Sequence, residues 1–256
     1  MLTRLPMNVC AACRGDSNGH ESSLCGGPDA VVSVKTRLRA FVGSRPALFF
    51  PMYRLARRSV SARALQFNAQ TALVVEGFPR SGNTFAVVAF QMAQPSPVAL
   101  AHHLHHPAQV LRAVQRGVPT MVLIRQPVAA VRSLALRRPS ASMASLIQQY
   151  VDFYKPLAAV RGGYYLADFA EVTTDFGAVT RAVNNHFGTA FACFDHCAEN
   201  VSSVFAEIDR INRALGGDES HVSRPSAVRE MAAKHAFTRS EARLLGEADA
   251  VYQAVT

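Results

Sequence analysis

The fold of this chain is decided by one stretch, Thr71-Ala-Leu-Val-Val-Glu-Gly-Phe-Pro-Arg-Ser-Gly-Asn-Thr-Phe85. Its first half is a short apolar run closed by Gly77, which is typical of a buried strand that feeds a turn. A helix is predicted to follow from about Asn83 to Gln94. Gly77 and Gly82 have the spacing of a G-x-x-x-x-G-K-[ST] loop, with Asn83 in place of the lysine. The stretch therefore predicts a phosphate-binding loop between a strand and a helix.

This loop keeps the features that bind an anion and lacks those that bind a magnesium triphosphate. Successive backbone N–H groups and the helix N-terminus form an anion nest, and Arg80 adds a guanidinium group. The loop lysine is absent, and the strand that should end in a magnesium-holding aspartate ends in Arg125. An ordinary ATPase is therefore disfavoured. A nucleotide whose 5′ end carries one phosphate and one sulfate needs less charge neutralisation than a triphosphate, so one arginine and the loop N–H groups can bind it. The alternative is that the stretch is only a glycine-bounded turn that binds no ligand.

The rest of the chain alternates between predicted strands and helices. Further strands are predicted at Pro97–His105, Thr120–Arg125 and Tyr164–Asp168. Helices are predicted at Ala108–Arg116, after Pro127, at Ser142–Arg161, at Asp175–Phe187 and from Ala198 onward apart from a loop at Gly216–Pro225. This alternation predicts an α/β fold, a three-layer sandwich with a central parallel sheet.

The formal charge of +9 on 256 residues is concentrated before this region. From Ala30 to Val75 there are eight basic residues and no acidic one, interleaved with apolar residues such as Leu38, Phe41, Leu48 and Met52. Such a stretch could lie on an acidic membrane surface or hold an anionic acceptor. The alternative is a solvated leader helix that packs partly on the core. We predict a flexible basic leader at residues 1–70 and the α/β domain at residues 71–256.

A second anion-binding motif is Arg125-Gln-Pro-Val-Ala-Ala-Val-Arg-Ser133, at the carboxyl end of a predicted strand. Ligands gather at this end of the strands in open α/β sheets. If the chain turns at Pro127, the new helix brings Ser133 back over the strand end. Arg125 and Ser133 would then bracket one anion.

Together the two motifs resemble the sulfotransferases that use 3′-phosphoadenosine-5′-phosphosulfate (PAPS), and the resemblance runs from Thr71 to about Gly188. This sequence differs from the family pattern at Arg80, where lysine is common, and at Phe85, where tryptophan is usual. The resemblance implies that the 5′-phosphosulfate is held by Arg80, Ser81, Gly82, Asn83, Thr84 and Phe85. It implies a 3′-phosphate site at Arg125 and Ser133, and Arg224 loosely matches the family's C-terminal nucleotide loop.

A cluster of histidines, His102-His-Leu-His-His106, precedes Pro107 at the end of the second predicted strand. Strand alternation would place His103 and His105 on one face. In the resemblance, His105 falls on the family's general base and His103 on a position where lysine is common. A neutral imidazole suits that chemistry. The alternatives are His103 as the base, a metal site, or structural histidines with Asp168 or Glu171 as the base, although capping is the simpler role for both carboxylates.

The resemblance implies in-line, metal-independent transfer of a sulfuryl group from PAPS to a hydroxyl or amine of a small molecule, glycan or lipid. The rivals are a degenerate phosphate-loop kinase that binds magnesium-ATP and a binding module that uses the basic leader. No nucleic-acid partner is predicted. The chain lacks an apolar run of about 18 residues and a signal-peptide pattern, which predicts a cytoplasmic protein, with peripheral membrane contact as an alternative.

The five cysteines predict no complete metal site. Cys10 and Cys13, followed by Cys25, resemble half of a zinc site. Cys193 and Cys197 lie far downstream and are predicted to be buried thiols.

Overall fold

A computed structural model describes residues 34–57, 59–214 and 236–256. Its centre is a sheet of four parallel strands in the order β2-β1-β3-β4. The strands are β1 (Leu73–Gly77), β2 (Leu100–His102), β3 (Thr120–Ile124) and β4 (Tyr165–Asp168). Because β1 lies between β2 and β3, the loop that follows β1 sits at the middle of the carboxyl edge, where ligands bind in such sheets.

The helices of the described residues precede, connect and follow these strands. They are α1 (Val34–Gly43), α2 (Pro46–Ala56), α3 (Val60–Ala64), α4 (Asn83–Ala93), α5 (Pro107–Gln115), α6 (Pro127–Arg137), α7 (Met143–Tyr154), α8 (Phe169–Thr174), α9 (Phe176–Phe187), α10 (Ala198–Ala214) and α11 (Arg239–Val255). A 3₁₀ helix, Lys155–Gly163, connects α7 to β4.

Helices cover both faces of the sheet, as the strand pattern requires. Leu73 and Val75 of β1 pack with buried residues of α4, α9 and α10. Val122 and Ile124 of β3 point the other way and pack with α6, α7 and α11. The strands β1 and β3 are therefore buried on both faces, which explains their largely apolar runs. The predicted three-layer α/β sandwich with a central parallel sheet is confirmed.

Two predicted elements have different bounds, for local reasons. The strand predicted at Pro97–His105 covers only Leu100–His102, because the backbone of His103 and His105 is in the left-handed region, with φ of 59° and 54°. The helix predicted at Ser142–Arg161 ends at Tyr154, since Pro156 lacks the N–H that an α-helix needs.

The described part of the predicted leader is helical and packs on the domain. Phe49 and Phe50 of α2 are buried against Leu65, Leu104 and Ala108. This packing agrees with the alternative of a partly core-packed helix for that stretch. The flexible leader at residues 1–70 and the division of the chain at residue 70 stay predictions. Among the described residues, none of the helices combines the length and apolar character of a membrane span.

The structure also bears on the cysteines. Cys193 and Cys197 are exposed, so their prediction as buried thiols is wrong. They follow α9 in an irregular segment at the edge of the domain, where thiols are not enclosed by the core. Cys10, Cys13 and Cys25 lie outside the described residues, as do Arg224 and the predicted loop Gly216–Pro225.

Candidate functional site

The loop between β1 and α4 adopts the shape of an anion nest. A side chain on Gly77 would clash with the backbone oxygen of Leu123 on β3, so only glycine fits there. Arg80 and Gly82 both have positive φ, 74° and 91°, which turns the chain into α4. Gly82 supplies no side-chain cap to α4. The first N–H groups of that helix have no partner within it and can receive an anion.

Buried side chains brace this loop from behind. The Tyr154 hydroxyl donates to the Leu123 carbonyl (2.6 Å) and accepts from the Phe78 N–H (3.1 Å), and the Ser81 hydroxyl lies 3.4 Å from it. The Asn83 amide donates to the Phe78 carbonyl (3.0 Å). Ser81 is fully buried and Asn83 nearly so. Their side chains therefore hold the shape of the loop. The backbone N–H of Ser81 also donates to the Phe78 carbonyl (3.2 Å), whereas the N–H of Asn83 is at the first turn of α4, where a ligand can accept from it.

The second motif meets the loop at Arg80. The Nε of Arg80 donates to the Ser133 hydroxyl (3.0 Å), and the guanidinium of Arg125 donates to the Arg80 carbonyl (3.2 Å). Arg125 also stacks over the ring of Phe169, with the guanidinium carbon 4.1 Å from the ring centroid. Two segments separated by about fifty residues thus bring two guanidinium groups and one hydroxyl together beside the nest. Such a cluster is suited to binding an anion.

Thr84 and Phe85 differ in what they offer this site. The Thr84 hydroxyl lies 3.2 Å from the Nε2 of His103. His103 belongs to the loop of residues 103–106 between β2 and α5, called here the histidine loop. Phe85 is 5 % exposed, and its ring packs against Phe176 and Phe194 in the core. The phenyl ring therefore anchors α4, and only the backbone of Phe85 is placed to reach an anion.

His105 is held at the start of the loop in a defined tautomer. Its Nδ1 lies 2.8 Å from the carbonyl oxygen of Gly77. Because a carbonyl only accepts hydrogen bonds, Nδ1 carries the proton and Nε2 keeps its lone pair. Burial lowers the pKa of His105 to about 4. The hydrogen bond to Gly77 raises this pKa, and the charges of Arg138, Arg137 and Arg39 lower it further. The ring is therefore neutral at pH 7, with Nε2 able to accept a proton.

Glu76 shapes the histidine loop, and the sequence analysis missed it. Its buried carboxyl group accepts from the backbone N–H of Leu104 (2.7 Å) and of His105 (3.1 Å), and from the Gln109 amide (2.9 Å). Burial raises its pKa to about 8, although these hydrogen bonds lower it. The signal available in the sequence was an acidic residue inside an otherwise apolar strand, directly before Gly77.

The other histidines are packed into the same loop. The Nδ1 atoms of His102 and His103 are 2.6 Å apart. Burial lowers the pKa of His102 to about 4 and that of His103 well below its usual value. The ring of His106 lies 4.8 Å from the ring of Phe49 on α2. The prediction that His103 and His105 share a strand face is wrong, because β2 ends before both.

The two carboxylates considered as alternative bases are used in capping. Asp168 accepts from the Ala170 N–H (2.8 Å), and Glu171 accepts from the Asp168 N–H (3.2 Å). Together they form a capping box at the start of α8. Among the described residues, no group of three or more His, Cys, Asp or Glu side chains is arranged to hold a metal ion.

A pocket of about 120 Å³ opens beside the histidine loop. Its walls come from α1, α2, the loop between β1 and α4, the histidine loop and α7. The lining residues include Arg39, Gly43, Tyr53, Arg57, Pro79, His105, Arg138 and Asp152. The three arginines come from different parts of the chain, and Asp152 is the one acidic residue among the lining residues. Burial raises the pKa of Asp152. The pocket is therefore positively charged at neutral pH.

No protein-family model matches the chain, and no curated protein matches it. Among solved structures, the chain is similar to the crystal structure of mouse sulfotransferase SULT7A1 complexed with PAP. The two chains are 11 % identical, and the TM-score is 0.45. The similarity covers 72 % of this chain and 84 % of the mouse chain.

Proposed function

We propose that this protein is a PAPS-dependent sulfotransferase that transfers a sulfuryl group to a hydroxyl or amine. The observation that carries the proposal is the bond between His105 Nδ1 and the Gly77 carbonyl. It places a neutral imidazole, with the lone pair of Nε2 free of the Gly77 bond, at the first residue of a phosphate loop that lacks the ATPase lysine. A base beside an anion nest is the arrangement required to deprotonate an acceptor while a nucleotide is held.

In this proposal the nucleotide lies across the carboxyl edge of β1 and β3. The N–H groups of residues 82–85 and the guanidinium of Arg80 hold the 5′-phosphosulfate, and Ser81 braces the loop from behind. Arg125 and Ser133, which both contact Arg80, hold the 3′-phosphate, the role that the family resemblance suggests for them. Arg224, outside the described residues, is the third anchor that the family resemblance suggests.

The reaction is an in-line displacement at sulfur. The acceptor oxygen forms a bond to sulfur as the bond between sulfur and the bridging oxygen of the 5′-phosphate breaks. The acceptor proton passes to Nε2 of His105, and the electron pair of the broken bond stays on the phosphate of the leaving adenosine 3′,5′-bisphosphate. Arg80 and the loop N–H groups stabilise that growing charge. General base catalysis of this kind contributes about 10²–10⁴-fold in rate.

The acceptor enters through the pocket that His105 lines. Arg39, Arg57 and Arg138 make its walls cationic. An acceptor that carries a carboxylate, sulfate or phosphate in addition to its hydroxyl gains charge-assisted hydrogen bonds there. We therefore propose an anionic acceptor as the substrate class.

The test uses PAPS labelled on sulfur and matched panels of hydroxyl acceptors with and without an anionic group. We expect label to move to anionic acceptors, with release of adenosine 3′,5′-bisphosphate. Loss of transfer in the His105→Asn variant, with nucleotide binding retained, supports the base assignment. Transfer of phosphate from magnesium-ATP, with none from PAPS, would instead support the kinase rival.

A further inference from the structure

The outer surface of α1–α3 exposes apolar side chains in a way that the rest of the described chain does not. Seven large hydrophobic residues are exposed in the described part, and six of them are on these helices: Leu38, Phe41, Leu48, Met52, Leu55 and Val60. Leu55 is 70 % exposed and Val60 is 82 % exposed. The seventh is Met92 on α4. Concentration on one segment distinguishes this surface from the scattered apolar residues of an ordinary protein exterior.

In α2 the exposed apolar residues form one stripe. Residues on an α-helix are rotated by about 100° from one to the next, which places Leu48, Met52 and Leu55 within about 60° of one another. Phe49, Phe50 and Tyr53 lie on the opposite side and pack into the domain. The helix is thus apolar on two faces, and only one of them is needed for its own packing.

The charges of this surface have a single sign. No acidic residue occurs from Ala30 to Val75, and Arg45, Arg54 and Arg63 are exposed on or beside α2 and α3. The guanidinium carbon of Arg45 lies 3.6 Å from the centre of the Phe41 ring, so cationic and apolar groups are side by side. Basic residues that flank an exposed apolar stripe are typical of helices that lie in the interface of an anionic membrane.

We propose that α1–α3 form a docking surface for an anionic lipid bilayer. Leu48, Met52 and Leu55 enter the boundary between headgroups and acyl chains, and the arginines contact the anionic headgroups. Arg39 and Gly43 of α1 and Tyr53 of α2 line the pocket beside His105. Tyr53 is on the side of α2 opposite to Leu48, Met52 and Leu55, so the bilayer and the pocket would lie on opposite sides of that helix. The proposal does not depend on the proposed catalytic function.

The experiment measures binding of the full chain to phosphatidylcholine vesicles with and without about 30 % phosphatidylserine. We expect binding to the anionic vesicles, weakened by added salt because exposed charges are screened. The double variant Leu48→Ser/Leu55→Ser should bind about tenfold more weakly or worse, since apolar area no longer leaves water. Arg45→Gln and Arg63→Gln should each cost about fivefold. All the substituted side chains are exposed, and thermal melting checks that the fold is kept.

Met92→Ser is the matched control, because it removes an exposed apolar side chain outside the surface. It should bind vesicles as the wild type does. Absence of binding to anionic vesicles overturns the proposal, as does equal binding by the Leu48→Ser/Leu55→Ser variant. If the chain instead forms dimers that this variant dissociates, and vesicle binding is unchanged, the surface binds a second copy and the proposal fails.

Discussion

The backbone N–H of His105 donates to a carboxyl oxygen of Glu76 (3.1 Å), while the ring of His105 is bonded to the carbonyl of the next residue, Gly77. Two consecutive residues at the end of β1 therefore fix both the backbone and the ring orientation of the proposed base. The left-handed backbone of His105 is held in place by these contacts. We therefore propose Glu76 as a positioning residue, because its buried carboxyl group contacts the backbone of Leu104 and His105.

Glu76→Gln tests this positioning role. The partners of the Glu76 carboxyl named above are N–H donors, so a glutamine NH₂ would face a donor at one of them. We expect the variant to lose about 1–3 kcal/mol of unfolding free energy, the cost of a buried unsatisfied group. Its kcat should fall while its affinity for adenosine 3′,5′-bisphosphate stays within about twofold. Unchanged kcat in a destabilised variant would limit Glu76 to a structural role.

His105→Asn tests the base itself. Asparagine tolerates positive φ better than most residues, so the loop conformation is retained. The kcat should fall by about 10²–10⁴-fold, because no group remains to take the acceptor proton. Nucleotide-induced thermal stabilisation should persist. His103→Asn is the companion variant, and a larger loss of kcat there would transfer the role of base to His103.

The dependence of stability on pH follows from the buried histidines and Glu76. Burial lowers the pKa of His102 and His105 to about 4, so below pH 6.5 the unfolded chain binds more protons than the fold. Stability is then lost as the pH falls from 6.5 toward 4. Glu76 has the opposite sign: its pKa is raised to about 8, so stability is lost as the pH rises from 4.5 to 8.

Each histidine contributes up to about 1.4 kcal/mol per pH unit within its window, and together they outweigh Glu76 there. Above pH 6.5, Glu76 is the one of these three groups that still makes the unfolding free energy depend on pH. Denaturant unfolding across this range should therefore give maximal stability near pH 6.5. Stability that stays constant from pH 6.5 to 8 would show that Glu76 is already ionised in the fold at neutral pH.

Arg80→Ala tests the anion nest. It removes the guanidinium that contacts Ser133 and, in our proposal, the 5′-phosphosulfate. Loss of a charged hydrogen bond costs about 1.5–3 kcal/mol, which corresponds to roughly 10–150-fold weaker binding of adenosine 3′,5′-bisphosphate by calorimetry. Arg80→Lys, which keeps the charge, should recover part of this affinity. Equal affinity in wild type and Arg80→Ala would remove Arg80 from the site.

The central fold could be predicted from the sequence because its determinants are local. The apolar run before Gly77, the glycine spacing and the proline at the start of α6 each act within a few residues. The histidine loop could not be predicted in this way, since its shape depends on Glu76, which lies 28 residues before Leu104. The same holds for the pocket wall, because the packing of α2 against Leu104 is a tertiary contact.

The most direct test of the central claim is the thermal stability of the full chain with adenosine 3′,5′-bisphosphate and with ATP, each with and without magnesium. A ligand at about 100 times its dissociation constant adds roughly 2.7 kcal/mol, a shift of about 5–10 °C for a chain of this size. We predict a shift with the bisphosphate that does not require magnesium. A shift in melting temperature only with magnesium-ATP would contradict the account and would identify a site for a nucleoside triphosphate.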